Sequence, residues 1–215
     1  NRIYDVTYQI TKGEKVYFKK ISIEGNVKTR DNVIRRALKV SEAQVFHATN
    51  LDKSKENVER LSFFETVDFL QESDEANHSI DLKVKVKEKS TGSLNASLGA
   101  SPNTAGSTGV TFFGALQYQE KNLIGRSYGV GGNVQISPSP DQSGRLNYSL
   151  GLNFSNPSIY DSPWSFGING NYSYQIQNIT TTSAVSQAFI TQKIISAGAS
   201  VGREIVENLR FTLGY

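Results

Sequence analysis

His47 and His78 are the only histidines in 215 residues, and the chain contains no cysteine. Acid–base or nucleophilic catalysis needs an imidazole, carboxylate or thiol held within hydrogen-bond reach of its partners. Both histidines sit in polar stretches of the first ninety residues, with no such constellation around them. Without cysteine there is no disulfide framework and no CxxC metal site. The later strands offer Ser, Asn, Gln and Gly on the face opposite their apolar residues, which are poor material for an active site. The sequence therefore predicts neither an enzyme nor a bound cofactor or metal. The chemistry that remains is that of the main chain, whose N–H and C=O groups can pair an exposed strand with another one.

Two adjacent stretches show where such strands lie. Ile80, Leu82, Val84 and Val86 alternate with Asp81, Lys83, Lys85 and Lys87, as in a strand with one buried face and one in water. Leu94, Ala96, Leu98 and Ala100 then alternate with Ser93, Asn95, Ser97 and Gly99, and the charges are gone. The second pattern suits a strand whose apolar face meets lipid. Composition divides at the same point: 32 of the 43 Lys, Arg, Asp and Glu residues precede residue 91, and 16 of the 18 glycines follow it. A net charge of +3, with bases and acids interspersed, gives no reason to expect nucleic acid.

The chain opens in mid-pattern and reads as an excised piece of a longer one. Residues 1–13 are expected to close a preceding module, with a strand over 4–11 and a turn at Lys12-Gly13-Glu14. A strand over Val16–Glu24 places Ile21 and Ile23 on one face and stops at Gly25-Asn26. Thr29 is a candidate N-cap for a short helix with apolar Val33, Ile34, Ala37 and Leu38, and a second helix from about Asn50 buries Leu51, Val58 and Leu61. Phe63 and Phe64 read as core and hinge packing rather than a ligand box. A strand with Val67 and Phe69 follows, then a polar turn over Gln71–Ser79. The order strand-helix-helix-strand-strand predicts an α+β domain over 14–90.

Residues 91–215 predict about six strands plus the start of a seventh: 93–100, 110–119, 127–137, 145–155, 164–176, 195–203 and 209–215. Tyr118, Tyr128, Phe154 and Trp164 fall near turns, where an interfacial aromatic girdle belongs. If the first of these strands leaves the side of the membrane that holds residues 14–90, the loops over 101–107, 138–144 and 177–188 are expected on the far side and the turns at 120–126, 156–163 and 204–208 on the near side. A soluble sandwich shows the same alternation but carries charges on its wet face. Six or seven strands cannot close a membrane barrel. The missing strands are expected elsewhere in a longer chain; assembly of several copies is the alternative.

Specific residues connect these elements to a known family. The stretch Val16–Val86 resembles a POTRA domain through Ile23-Glu24-Gly25-Asn26, the helix Asn32–Leu38, and Glu59-Arg60-Leu61-Ser62-Phe63-Phe64-Glu65-Thr66-Val67, with Ser62 where glycine is usual. Lys85-Val86-Lys87-Glu88 followed by Thr91-Gly92-Ser93 resembles the passage from the last POTRA domain into the first barrel strand of the BamA family of outer-membrane protein assembly factors. Asn122-Leu123-Ile124-Gly125-Arg126 and Asn156-Pro157 resemble turns of that barrel, while the family's Arg-Gly-Phe loop is absent from this sequence.

The resemblance implies an α+β POTRA domain followed by part of an antiparallel transmembrane β-barrel, in the bacterial outer membrane with the POTRA domain in the periplasm. It implies a non-enzymatic assembly factor whose partners are unfolded outer-membrane protein clients, outer-membrane lipids and accessory lipoproteins. The alternative is another POTRA-bearing barrel, TamA-like or a two-partner-secretion transporter. On this reading Ser93, Leu94, Asn95, Ala96, Ser97, Leu98, Gly99 and Ala100 form the strand that pairs with client strands. Their small inward side chains offer little cross-strand packing. Glu65, Thr66, Val67, Asp68, Phe69 and Leu70 form either a plain structural strand or an edge that receives extended substrates or a partner.

Overall fold

The computed structural model describes residues 8, 14–102, 110–139, 144–180, 187–206 and 209–215. The expected end of a preceding module falls almost wholly outside these residues, as do most of the loop over 101–107, much of those over 138–144 and 177–188, and residues 207–208. The chain divides into two compact units, one of residues up to Asn26 with Ile34–Glu88, the other of Val27–Val33 with Lys89–Tyr215.

The first unit holds β1 (Tyr17–Glu24), most of α1 (Asp31–Ala37), α2 (Ala48–Arg60), β2 (Phe64–Asp74) and β3 (Ser79–Glu88). Its sheet has the order β1-β3-β2, with β1 parallel and β2 antiparallel to the central β3. Ile80, Leu82, Val84 and Val86 of β3 are all buried, with Ile34, Leu51, Val58, Phe63, Phe64 and Val67 in the same core. β1 departs from simple alternation. Its register shifts between Phe18 and Lys20, so that Phe18 and Ile21 are both buried while Ile23 is only half-buried. One extra residue in a strand reverses the facing of all that follow.

Polar contacts fasten the helices. The buried Ser54 hydroxyl donates to the Asn50 carbonyl at 2.6 Å and accepts from the Lys39 amide at 2.8 Å, tying α2 to the segment after α1. Gly25 has φ +91°, and a Cβ there would lie 1.9 Å from the Val86 carbonyl oxygen, so the turn after β1 needs glycine for both conformation and space. The polar turn is shorter than the sequence suggests. β2 continues to Asp74, and a single 3-10 turn at Glu75–Asn77 reverses the chain, closed by hydrogen bonds from the Asn77 amide and side chain to the Asp74 carboxylate.

The second unit is an antiparallel meander of seven strands: β4 (Gly92–Pro102), β5 (Val110–Leu123), β6 (Tyr128–Pro138), β7 (Leu146–Asn156), β8 (Trp164–Thr180), β9 (Gln187–Val206) and β10 (Leu209–Gly214). The register lines like with like. Ala96, Leu116, Val134, Leu150, Tyr172 and Ile195 are successive partners across six strands, and so are Asn95, Gln117, Asn133, Gly151, Asn171 and Ser196 on the other face. Neither row contains a charge. On the polar face glycines receive the side chains opposite them: Asn153 covers Gly131 and Asn133 covers Gly151, each so closely that a Cβ would lie 2.3 Å from the amide oxygen. β8 and β9 run well beyond the expected 164–176 and 195–203, because their ladder continues to Thr180↔Gln187.

Candidate functional site

β4 stands at one end of the seven-stranded order and pairs only with β5, from Gly92↔Glu120 to Pro102↔Val110. Its other edge has no partner among the described residues. An antiparallel edge strand turns alternate pairs of N–H and C=O groups away from its neighbour, leaving a row of pairing groups free. Ser93, Leu94, Asn95, Ala96, Ser97, Leu98, Gly99 and Ala100 all lie within this strand. Leu94 and Leu98 are strongly exposed on its apolar side. On the polar side Asn95, Ser97, Gln117, Asn133 and Gln135 line a shallow depression of about 270 Å³.

The polar side is lean at Asn95 and Ser97 but not at Gly99. There the ring of Phe113, the register partner on β5, lies over the glycine, and a Cβ would meet its Cζ at 2.3 Å. An aromatic ring laid over a strand glycine restores the side-chain contact that the glycine lacks.

The start of β4 is held by a network that sequence reading left unassigned. The Thr91 hydroxyl donates to the Glu120 carboxylate, which also accepts from the Asn122 amide at 2.8 Å. The Lys121 amide donates to the Thr91 carbonyl at 3.2 Å. Asn122 is buried; its Oδ1 accepts from the Ser127 amide at 2.7 Å and its Nδ2 donates to the Thr29 hydroxyl at 2.9 Å. Thr29 is therefore not the N-cap of α1, which starts at Asp31; its hydroxyl faces the β5–β6 turn within the second unit. The Arg30 amide donates to the Gly125 carbonyl at 2.9 Å. Gly125, at φ +70°, approaches so near that a Cβ would lie 1.8 Å from the Lys28 carbonyl oxygen. The available signal was an asparagine and a glycine inside one short turn, Asn122–Gly125, after an apolar strand.

Glu65, Thr66, Val67, Asp68, Phe69 and Leu70 lie in β2, an edge of the first unit's sheet. Val67 points into the core and Phe69 is half-buried, whereas Glu65, Thr66, Asp68 and Leu70 are exposed. Lys87 pairs with Glu65 at 2.7 Å. The structure does not bring β2 and β4 into one sheet. Nor are the histidines together: His78 occupies a left-handed turn position and pairs with Glu14 at 2.8 Å, and His47 precedes α2 without a side-chain cap bond.

Comparison with known proteins agrees with this architecture. Residues 16–89 match the POTRA family model, described as surface antigen variable number repeat. The chain is 37% identical over 165 residues to the outer membrane protein assembly factor BamA of Nitratidesulfovibrio vulgaris, covering 77% of this chain and 19% of that protein. It is 28% identical over 211 residues to BamA of Neorickettsia risticii, covering 98% of this chain and 26% of that protein. The chain thus spans about a fifth to a quarter of the length of these curated relatives. Among solved structures, CdiB from Acinetobacter baumannii shares the fold over 90% of this chain and 35% of its own, with a TM-score of 0.61 at 16% identity. On these grounds the chain belongs to the BamA family, as a POTRA domain followed by an antiparallel sheet of the barrel type.

Proposed function

We propose that the intact protein assembles and inserts β-barrel proteins into the bacterial outer membrane, with β4 offering its free backbone edge to the strand of a client. The observation that carries this reading is an uncharged edge strand, apolar on one face and small and neutral on the other, at the end of a sheet of barrel type. Such an edge recognises extended chains by main-chain hydrogen bonds, and its alternation matches that of any incoming membrane strand. No side chain needs to act on a covalent bond, so the activity is not enzymatic.

In this reading residues 14–90 are a periplasmic POTRA domain and 91–215 belong to the membrane barrel. The Glu65–Leu70 edge of β2 receives unfolded clients or accessory lipoproteins, and outer-membrane lipids surround the apolar face. A transporter reading has only likeness of fold in its favour, and fold does not carry activity.

The test is a proline at Ser97, which removes a ladder donor and fixes the backbone. In the intact protein it should abolish crosslinks between cysteines placed in Leu94–Ala100 and the terminal strand of a stalled client, while Asn95→Ala leaves them unchanged. Heat-modifiable gel mobility must show that the proline variant still forms its barrel. Crosslinks that form readily elsewhere on the folded wild-type barrel, but never at β4, would remove this strand from the mechanism.

A further inference from the structure

Lys193 is out of place on the face where it lies. Within residues 146–202 the only charged residues are Asp161, in the turn between β7 and β8, and Lys193. Lys193 is the register partner of Tyr174; it lies two positions along β9 from Ile195, as Tyr174 lies two along β8 from Tyr172, the partner of Ile195. It therefore shares the apolar face of Leu150, Tyr172 and Ile195. Three phenol rings gather there: Tyr148 stacks on Tyr174 with ring centres 5.3 Å apart, and the Tyr172 ring lies 5.8 Å from Tyr148.

A matching arrangement closes the other end of the same hairpin. Trp164 is the partner of Arg203, whose guanidinium carbon stands 5.2 Å from the centre of the indole. Tyr174 stands ten positions along β8 from Trp164. At about 3.3 Å per step and a tilt of about 40°, this spacing rises about 25 Å, the height of the apolar band of a membrane barrel. A lysine facing lipid is costly at mid-bilayer and nearly free at the interface, which independently places Lys193 at a boundary.

We propose that Lys193, with Tyr148, Tyr172 and Tyr174, is a binding site for the phosphate of an anionic lipid headgroup at the membrane surface opposite Trp164. This inference rests on the membrane-barrel reading above. The ammonium supplies the charge and the phenolic hydroxyls can donate hydrogen bonds to phosphate oxygens. The acyl chains then lie along the row Leu150–Tyr172–Ile195 directly beneath, which is why the occupant is a lipid and not a free anion.

The experiment places the intact protein in nanodiscs of phosphatidylcholine containing phosphatidylglycerol and counts, by native mass spectrometry, the phosphatidylglycerol retained on release. The wild type should hold one more such lipid than Lys193→Gln, whose preference for phosphatidylglycerol over phosphatidylcholine should fall about fivefold. Lys193→Arg should keep it. Tyr174→Leu, which leaves the charge unchanged, should lose part of it, and this variant decides the matter if Lys193→Gln does not fold. Equal retention by wild type and the folded variants overturns the site. A nitroxide at Leu150→Cys in the same nanodiscs separates the two readings. If it is accessible to oxygen dissolved in the lipid while retention is unchanged, the headgroup site alone is lost; if it is not, the membrane reading fails as well.

Discussion

Leu82 and Val84 of β3 are 1% and 0% exposed, whereas Leu94 and Leu98 of β4 are 71% and 92% exposed. Each pair lies on one face of a regular strand, and only the three residues 89–91 separate the two strands. β3 is central in its sheet and α2 brings Leu51 and Val58 into the core beside it. β4 is at an edge, and no described segment covers its leucines. Alternation announces that a strand has an apolar face but not what covers that face. The intervening residues distinguish the cases: Lys83, Lys85 and Lys87 accompany a strand whose other side is in water, while Asn95, Ser97 and Gly99 accompany one whose apolar side awaits lipid.

The largest test of this contrast puts the same charge on both apolar faces. Leu82→Arg places an unpaired cation in the core of the first unit and should cost about 4 kcal/mol or more, abolishing the cooperative urea transition of that unit. Ile168→Arg, near the middle of the span between Trp164 and Tyr174, should cost about 2–4 kcal/mol in a bilayer, and Asn153→Arg, on the polar face, less than about 1 kcal/mol. Equal costs at positions 168 and 153 in an unfolding titration would mean that the second sheet has no lipid-facing side.

A smaller effect is expected where β4 is closed over by its neighbour. Gly99→Ala forces the Phe113 ring aside and should cost about 1–3 kcal/mol. Combining it with Phe113→Ala should recover much of that cost, because the clash partner is gone. A fully additive double-mutant cycle would show that the ring does not rest on Gly99 in the folded protein.

The smallest effect is the pH response of the turn between β2 and β3 in the first unit. The hydrogen bond from the Asn77 side chain, with lesser help from the backbone amides of Asn77 and Ala76 and from Lys19, holds Asp74 below its ordinary value of 3.8. A carboxylate depressed in the folded state adds stability above its unfolded value, and that increment is lost as pH falls from about 3.8 through the folded value. An NMR titration of the Asp74 carboxyl should show the depressed midpoint in the wild type and its return toward the ordinary value in Asn77→Ala.

Much of this architecture is legible in residue order. The loss of charge after Lys89, the apolar alternation of β3 and β4, the two adjacent phenylalanines that close the first core and the neutral polar rows of the later strands follow from side-chain types at period two. Hairpin connectivity follows as well, since short turns make consecutive antiparallel strands neighbours. The edge at β4 was legible because it opens a meander.

Tertiary structure decided what period two cannot encode. The shift between Phe18 and Lys20 that buries Phe18, the place of β3 between β1 and β2, and the use of the Thr29 hydroxyl by Asn122 depend on partners far along the chain. The same holds for Phe113 over Gly99 and for Lys193 opposite Tyr174. Alternation is a property of one strand and is set by local backbone geometry. Register, burial and hydrogen-bond partnership are choices among pairings that the local pattern leaves nearly equal in energy, and only the assembled sheet removes that degeneracy.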